Sequence, residues 1–380
     1  MTKKYYCPRK GCPHHISPPE DNSWYRTLGT YETKLLGTQQ RYQCKRCRKT
    51  FSPRTFSIDY YTKKKISYKA ILNQQISASG INDMARQMKC STETIQNRIR
   101  RLSHQVQGAM ALYLHDHRIS ENLTADGLES FVDSQFFPTN INILVGAKSQ
   151  FIYFFDAYFF KRKGKMTQEQ KEKSVELYKE YPLERGMATK AFSELLDHLD
   201  QIWDRKKRKK LILDTDENPI YRGALKRKKS LQVDLAKKKL NHRLTNSKEE
   251  RNRENKLFSC NYSDRMVRKD LAEHVRETVQ FARDQNCSME RFSLYRFWMG
   301  FHKPFRINPR KKKRYDYHCE AAGISKEVRK HILSRVWRGN RVTLEEVSDK
   351  LSPFEKRLWT NRLITPTGNN ERVLPKFMCA

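Results

Sequence analysis

Apolar and polar residues follow three rhythms along the chain, and the changes of rhythm divide it. From 66 to about 118 the spacing is helical. Ile66 to Ile76 is predicted as one helix, Ser77 to Gly80 breaks it, and Ile81 to Met88 follows. Lys89 and Cys90 form a turn, and Ser91 is placed to cap a longer helix over Thr92 to Val106, with Ile95, Ile99, Leu102 and Val106 on one face. From 120 to about 160 the residues turn β-prone: Asn122 to Val132, Asn140 to Gly146 and Phe151 to Phe160, separated by short turns as in an antiparallel meander. Helical spacing then returns, in a charged, exposed helix over Thr167 to Tyr181 and an amphipathic one over Ala188 to Trp203. Leu211-Ile-Leu-Asp-Thr-Asp216 reads as a short buried strand ending in acids before the turn residues Asn218 and Pro219.

Beyond that strand the pattern weakens. Leu231 to Leu235 reads as a short strand. Ser263 is placed to cap a long helix from Asp264 to about Asp284, with Val267, Leu271, Val275 and Val279 recurring every four residues. A further helix runs from Ser288 to about Phe301, and modest helical patterns occupy Lys326 to Val336 and Leu344 to Lys350. Three strands, a helix and a fourth strand is the order of an RNase H-like core. The expected fold class is therefore α/β: an RNase H-like mixed sheet with flanking helices, preceded by two small modules. The expected boundaries are 1–55, 60–118 (all-α), 120–306 (the α/β core) and 307–380 (a basic C-terminal region).

Charge changes the picture most. Lys and Arg number 77 against 42 Asp and Glu, a net +35. That excess implies a polyanionic partner. The basic residues lie in several short runs, among them Arg205 to Lys210 and Arg310 to Arg314, as expected of several surfaces that follow one nucleic acid. Helix, tight turn and polar second helix is the helix-turn-helix pattern. Its exposed face would offer Thr92, Glu93, Gln96, Asn97, Arg100 and Arg101 to double-stranded DNA. No apolar run has the length of a membrane span, and the first residues lack a signal-peptide core, so a cytoplasmic, reduced setting is expected. There, paired cysteines are read as metal ligands. Cys7 and Cys12, then Cys44 and Cys47, suit a tetrahedral zinc site on two knuckles, with His14 and His15 as alternatives to Cys12. The other cysteines read as packing residues.

The carboxylates suggest a second centre. Cleavage of a phosphodiester by divalent cations needs two or three converging acids. Asp126 on the first strand and Asp216 at the end of the fourth are neighbours in an RNase H-like sheet. Asp214 and Glu217 compete with Asp216, and the turn at Asn218 favours the later acid. On the predicted helix Asp264 falls within the apolar stripe and Glu277 off it. An inward acid there is costly unless paired or metal-bound. Asp264 is thus the third candidate, with a helix-dipole acid or an Asp264–Arg268 ion pair as the other readings.

Four stretches carry a family resemblance: Arg41 to Ser52, Ala125 to Phe131, Asp214 to Tyr221 and Asn261 to Arg306. In that order they resemble the DDE transposases of bacterial insertion sequences, in the group with an N-terminal zinc ribbon and helix-turn-helix. The resemblance implies Mg2+ or Mn2+ held by Asp126, Asp216 and a third acid, phosphate contacts including Arg268, and assembly as a homo-oligomer on element ends and target DNA in the nucleoid. It also implies transfer of a freed 3′-OH to target DNA with no covalent protein–DNA intermediate. Many relatives place glutamate seven residues before the arginine matching Arg268; here that position is Asn261, with Asp264 about one turn later. A catalytically inactive, transposase-derived DNA-binding regulator is the alternative expectation, and a basic RNA-binding structural protein a third.

Overall fold

The structure, a computed structural model, describes residues 5–34, 36–246, 248–275, 278–306 and 315–368. The basic run Arg310–Arg314, Glu277 and Cys379 lie outside the described residues.

The N-terminal module contains a helical turn, α1 (Pro13–Ile16), and a three-stranded antiparallel sheet, β1 (Tyr25–Thr33), β2 (Gly37–Cys44) and β3 (Thr50–Phe51). Its core is Trp24, Phe51 and Phe56 with the buried cysteines 7, 12 and 44, and Trp24 stacks on Phe51 at 5.2 Å. So small an apolar core supplies little stability by itself.

Next come α2 (Tyr68–Gln75), α3 (Ile81–Gln87) and α4 (Thr92–Leu114). Ser91 caps α4 as expected, its Oγ accepting from the Thr94 N–H at 3.3 Å. The helix outruns its predicted end because residues 101–110 are buried on every side. Two of the polar residues there meet distant segments. The Gln105 amide donates to the Arg335 and Asn340 carbonyls and accepts from the Val342 N–H, and His104 stacks on Trp359 at 4.6 Å.

The central sheet holds β4 (Leu123–Val132), β5 (Ser134–Gly146), β6 (Ile152–Phe159), β7 (Leu211–Asp216) and β8 (Leu240–Thr245) in the order β6-β5-β4-β7-β8. The first three form the expected antiparallel meander; β4–β7 and β7–β8 are parallel. Between β6 and β7 run α5 (Gln168–Glu180), opened by a Thr167–Gln170 capping box, and α6 (Met187–Ile202), which buries Phe192, Leu195, Leu196 and Leu199. Then α7 (Pro219–Lys226) and α8 (Lys229–Ala236) precede β8, and α9 (Phe258–Asp270) and α10 (Gln285–Phe301) follow it.

Three expectations are corrected. Leu231 to Leu235 lies in helix α8; Leu231 and Leu235 are four apart, one helical turn. The fifth strand is β8, whose polar Asn241-His242-Arg243 hid it from a hydrophobic pattern search. Ser263 does not cap a helix. It sits midway along α9, its Oγ donating to the Ser259 carbonyl one turn back. That helix stops at Asp270, a 3-10 turn covers Ala272–His274, and Val275 and Val279 are exposed.

The C-terminal region is no appended tail. It forms α11 (His318–Ala321), α12 (Lys326–Trp337), α13 (Leu344–Val347) and α14 (Pro353–Trp359). Helices α12 and α13 pack on α4 and α14 on α10; apolar residues of α12 and α14 join α2–α4 and the sheet in one core, and Val347 of α13 packs in a smaller cluster with Val342, Leu351 and Trp359. No helix among the described residues is long and apolar enough to cross a membrane.

Candidate functional site

The four N-terminal cysteines converge. Their sulfurs lie within 4.8 Å of one another, with Cys7 3.3 Å from Cys47 and Cys12 3.8 Å from Cys44. Tetrahedral zinc–thiolate bonds would space sulfurs by about 3.8 Å, so the donor set fits a metal such as zinc. Burial opposes ionisation of Cys47, yet the Lys49 backbone N–H and the neighbouring thiols lower it to about 7. His14 stays close, its Nδ1 3.5 Å from the Cys44 sulfur, but Cys12 occupies the fourth place.

The acids assemble from three elements. Pairing of Thr124 with Asp214 brings β4 and β7 side by side, so Asp126 and Asp216, each two residues on, leave adjacent strands on one face. Helix α9 packs across β4 and β5 and carries Asp264. The competing acids are committed elsewhere. Asp214 is buried and gripped by Arg243 through two hydrogen bonds of 2.7 and 2.8 Å, and exposed Glu217 accepts from Asn246 at 3.0 Å.

Each site acid keeps an oxygen uncommitted. Asp126 Oδ1 accepts from the Gly127 N–H at 2.8 Å and the Tyr221 hydroxyl at 3.4 Å; its Oδ2 meets no donor among the described residues. Asp216 Oδ1 accepts from the Asn218 N–H at 2.8 Å. The Oδ1 of Asp264 is buried without a hydrogen-bond partner. The expected alternatives for Asp264 do not hold: it lies mid-helix, and Arg268 donates to the carbonyls of His274 and Glu129.

Electrostatics reflect the crowding. Burial, then the charge of Asp216, pushes Asp126 up to about 6. Burial, then Asp126, pushes Asp264 up to about 8 against the pull of Arg268 and Arg251. Burial, with Asp126 and Asp216 behind it, holds the Tyr221 phenol well above the usual tyrosine range.

The predicted reading face of α4 is also corrected. Thr92 and Glu93 are exposed, but Gln96 and Arg100 both donate to Glu290 on α10, at 2.9 and 2.6 Å. Arg101 is buried against Asn97 and the Ile58 carbonyl. The sequence pattern showed a polar face; it could not show that α10 supplies a buried acid opposite it. Half-buried Arg268 donates to the two carbonyls named above. Sequence reasoning assigned no role to Gly127, Arg243 or Arg251; Tyr221 stood in a quoted motif without a task.

No protein-family model matches the chain, and comparison with curated proteins gives no match.

Proposed function

We propose that the protein is a DDE-type DNA transposase, in which an RNase H-like core with Asp126, Asp216 and Asp264 holds Mg2+ or Mn2+ and a zinc ribbon completes the N-terminus. The observation that carries the reading is the convergence of these acids from β4, β7 and α9, each with an oxygen unengaged. The sheet order, an antiparallel meander extended by two parallel strands, supports the same reading. The net charge of +35 supports a DNA partner.

In this reading Asp126 is the central ligand, since it feels both other acids. Asp216 faces it from the adjacent strand, and Asp264 completes the set from the helix. The divalent cations would supply activation of the attacking oxygen and stabilisation of the leaving one. Arg251, on the segment between β8 and α9, is the cation whose charge reaches both Asp126 and Asp264, and it would steady the scissile phosphate. The buried oxygen of Asp264 bears on Asn261: the acid has shifted along α9 by about one turn and still faces Asp126.

A cleavage and strand-transfer assay with Mg2+ or Mn2+ on element-end DNA tests this. Wild-type activity that Asp126→Ala and Asp264→Asn abolish is expected. Activity surviving in Asp126→Ala overturns the metal assignment. Tight, sequence-specific DNA binding with no cleavage under either cation favours the inactive regulator.

A further inference from the structure

We infer that Tyr221 is the positioning residue of the candidate cation site, its hydroxyl and the Gly127 amide together holding one oxygen of Asp126 so that the other is presented to the cation. This rests on the proposed function above.

The turn after β7 makes the contact possible. Asp216 ends the strand, Asn218 caps α7 by accepting from the Ile220 N–H at 3.1 Å, and Pro219 opens the helix. A strand that passes into a helix within three residues sends the helix's first turn back over the sheet. Tyr221, the third helical residue, therefore reaches a carboxylate 95 positions earlier in the chain. The ring is fixed independently of the hydroxyl. Tyr221 is 4% exposed, and its ring packs on Phe192 of α6 with centroids 4.5 Å apart at 58°.

Both donors converge on the same oxygen. The backbone N–H of Gly127 and the Tyr221 O–H reach Asp126 Oδ1, from β4 itself and from α7. Two donors from different elements on one oxygen fix the plane of a carboxylate, and a phenol does so without bringing a positive charge that would compete with a cation. Gly127 is itself constrained: a Cβ there would run into the Asn140 side chain. A ligand held in its binding orientation binds more tightly, because ordering it costs nothing further.

The test is Mn2+ titration of the full-length, zinc-loaded chain by calorimetry, on wild type, Asp126→Asn, Tyr221→Phe and Phe192→Leu, with thermal melting of each. Tyr221→Phe keeps the ring and loses only the hydroxyl. It is expected to weaken the Mn2+ site that Asp126→Asn removes by roughly three- to tenfold, the worth of one hydrogen bond as long as 3.4 Å, with the melting temperature little changed. Phe192→Leu loosens the ring's seat and keeps the hydroxyl; it should lower the melting temperature and move Mn2+ affinity less. Unchanged affinity in Tyr221→Phe overturns the inference while leaving the cation site standing. Equal weakening in both ring variants, in step with their melting temperatures, assigns Tyr221 a packing role only and also overturns it. Wild type without an Asp126-dependent Mn2+ site brings down the functional reading, and the inference with it.

Discussion

Arg100 separates two views of helix α4, as a DNA-reading helix and as a packing element. Its guanidinium meets Glu290, whose side chain is 0% exposed, at 2.6 Å. Burial raises the Glu290 pKa, and Arg100 pulls it back. Arg100→Ala leaves that carboxylate buried without its counter-charge, which costs about 3–5 kcal/mol for such pairs. Gln96 and Asn286 still donate to it, at 2.9 and 3.2 Å, so the lower end of that range is expected. Removing Arg100 raises the Glu290 pKa further, so the variant's deficit should grow as pH rises. Urea denaturation at two pH values measures this directly. Glu290→Gln in the Arg100→Ala background should recover much of the loss, because the charge no longer needs a partner. An Arg100→Ala protein with an unchanged urea midpoint and weakened DNA binding would refute the packing assignment and return Arg100 to the DNA.

Three other outcomes are expected. Chelation of the N-terminal metal, or Cys44→Ser, should abolish the near-UV signal of Trp24, since that module folds around its thiolates; a signal that persists in metal-free protein counts against a structural metal. Without divalent cations, Asp264→Asn should gain on wild type as pH rises from 5.5 to 8.5, by on the order of 1–3 kcal/mol. The sign follows from the raised pKa: folded Asp264 keeps a proton up to about pH 8 that the unfolded chain gives up near 4, so its ionisation costs stability through that window. A difference that stays flat across the range refutes the burial of that carboxyl. Gly127→Ala should cost about 1–3 kcal/mol by driving a methyl into Asn140, read as a lower urea midpoint; a neutral result refutes the close approach.

Legibility followed the reach of local patterns. The meander, the amphipathic α6 and the acid-tipped β7 stood out because apolar residues on a regular period also bury there. Strand β8 did not, because its central residues serve Asp214 and Thr215 through Arg243 and His242, and are polar for that reason. The start of α9 was missed because Ser263 resembles a cap when its main-chain partners are unseen. Asp126, Asp216 and Asp264 were chosen from sequence, whereas the tether on Asp126 comes from a residue 95 positions away. The inward turn of Gln96 and Arg100 depends on Glu290, nearly two hundred residues downstream, and no short window on the sequence contains both.

Helix α4, 23 residues long, carries a consequence for how the protein is made. Gln105 finds its partners 230 to 237 positions later, and the ring over His104 belongs to Trp359. At ribosomal rates of 5–20 residues per second, that interval lasts roughly 12–50 s. During it the helix has a bare flank, while the N-terminal module can already bring together the four thiols of Cys7 to Cys47. Nascent chains stalled before about residue 340 should be cut readily by protease within 92–114 and resist in the cysteine module, so it is the arrival of residues 335–359 that covers the flank of α4.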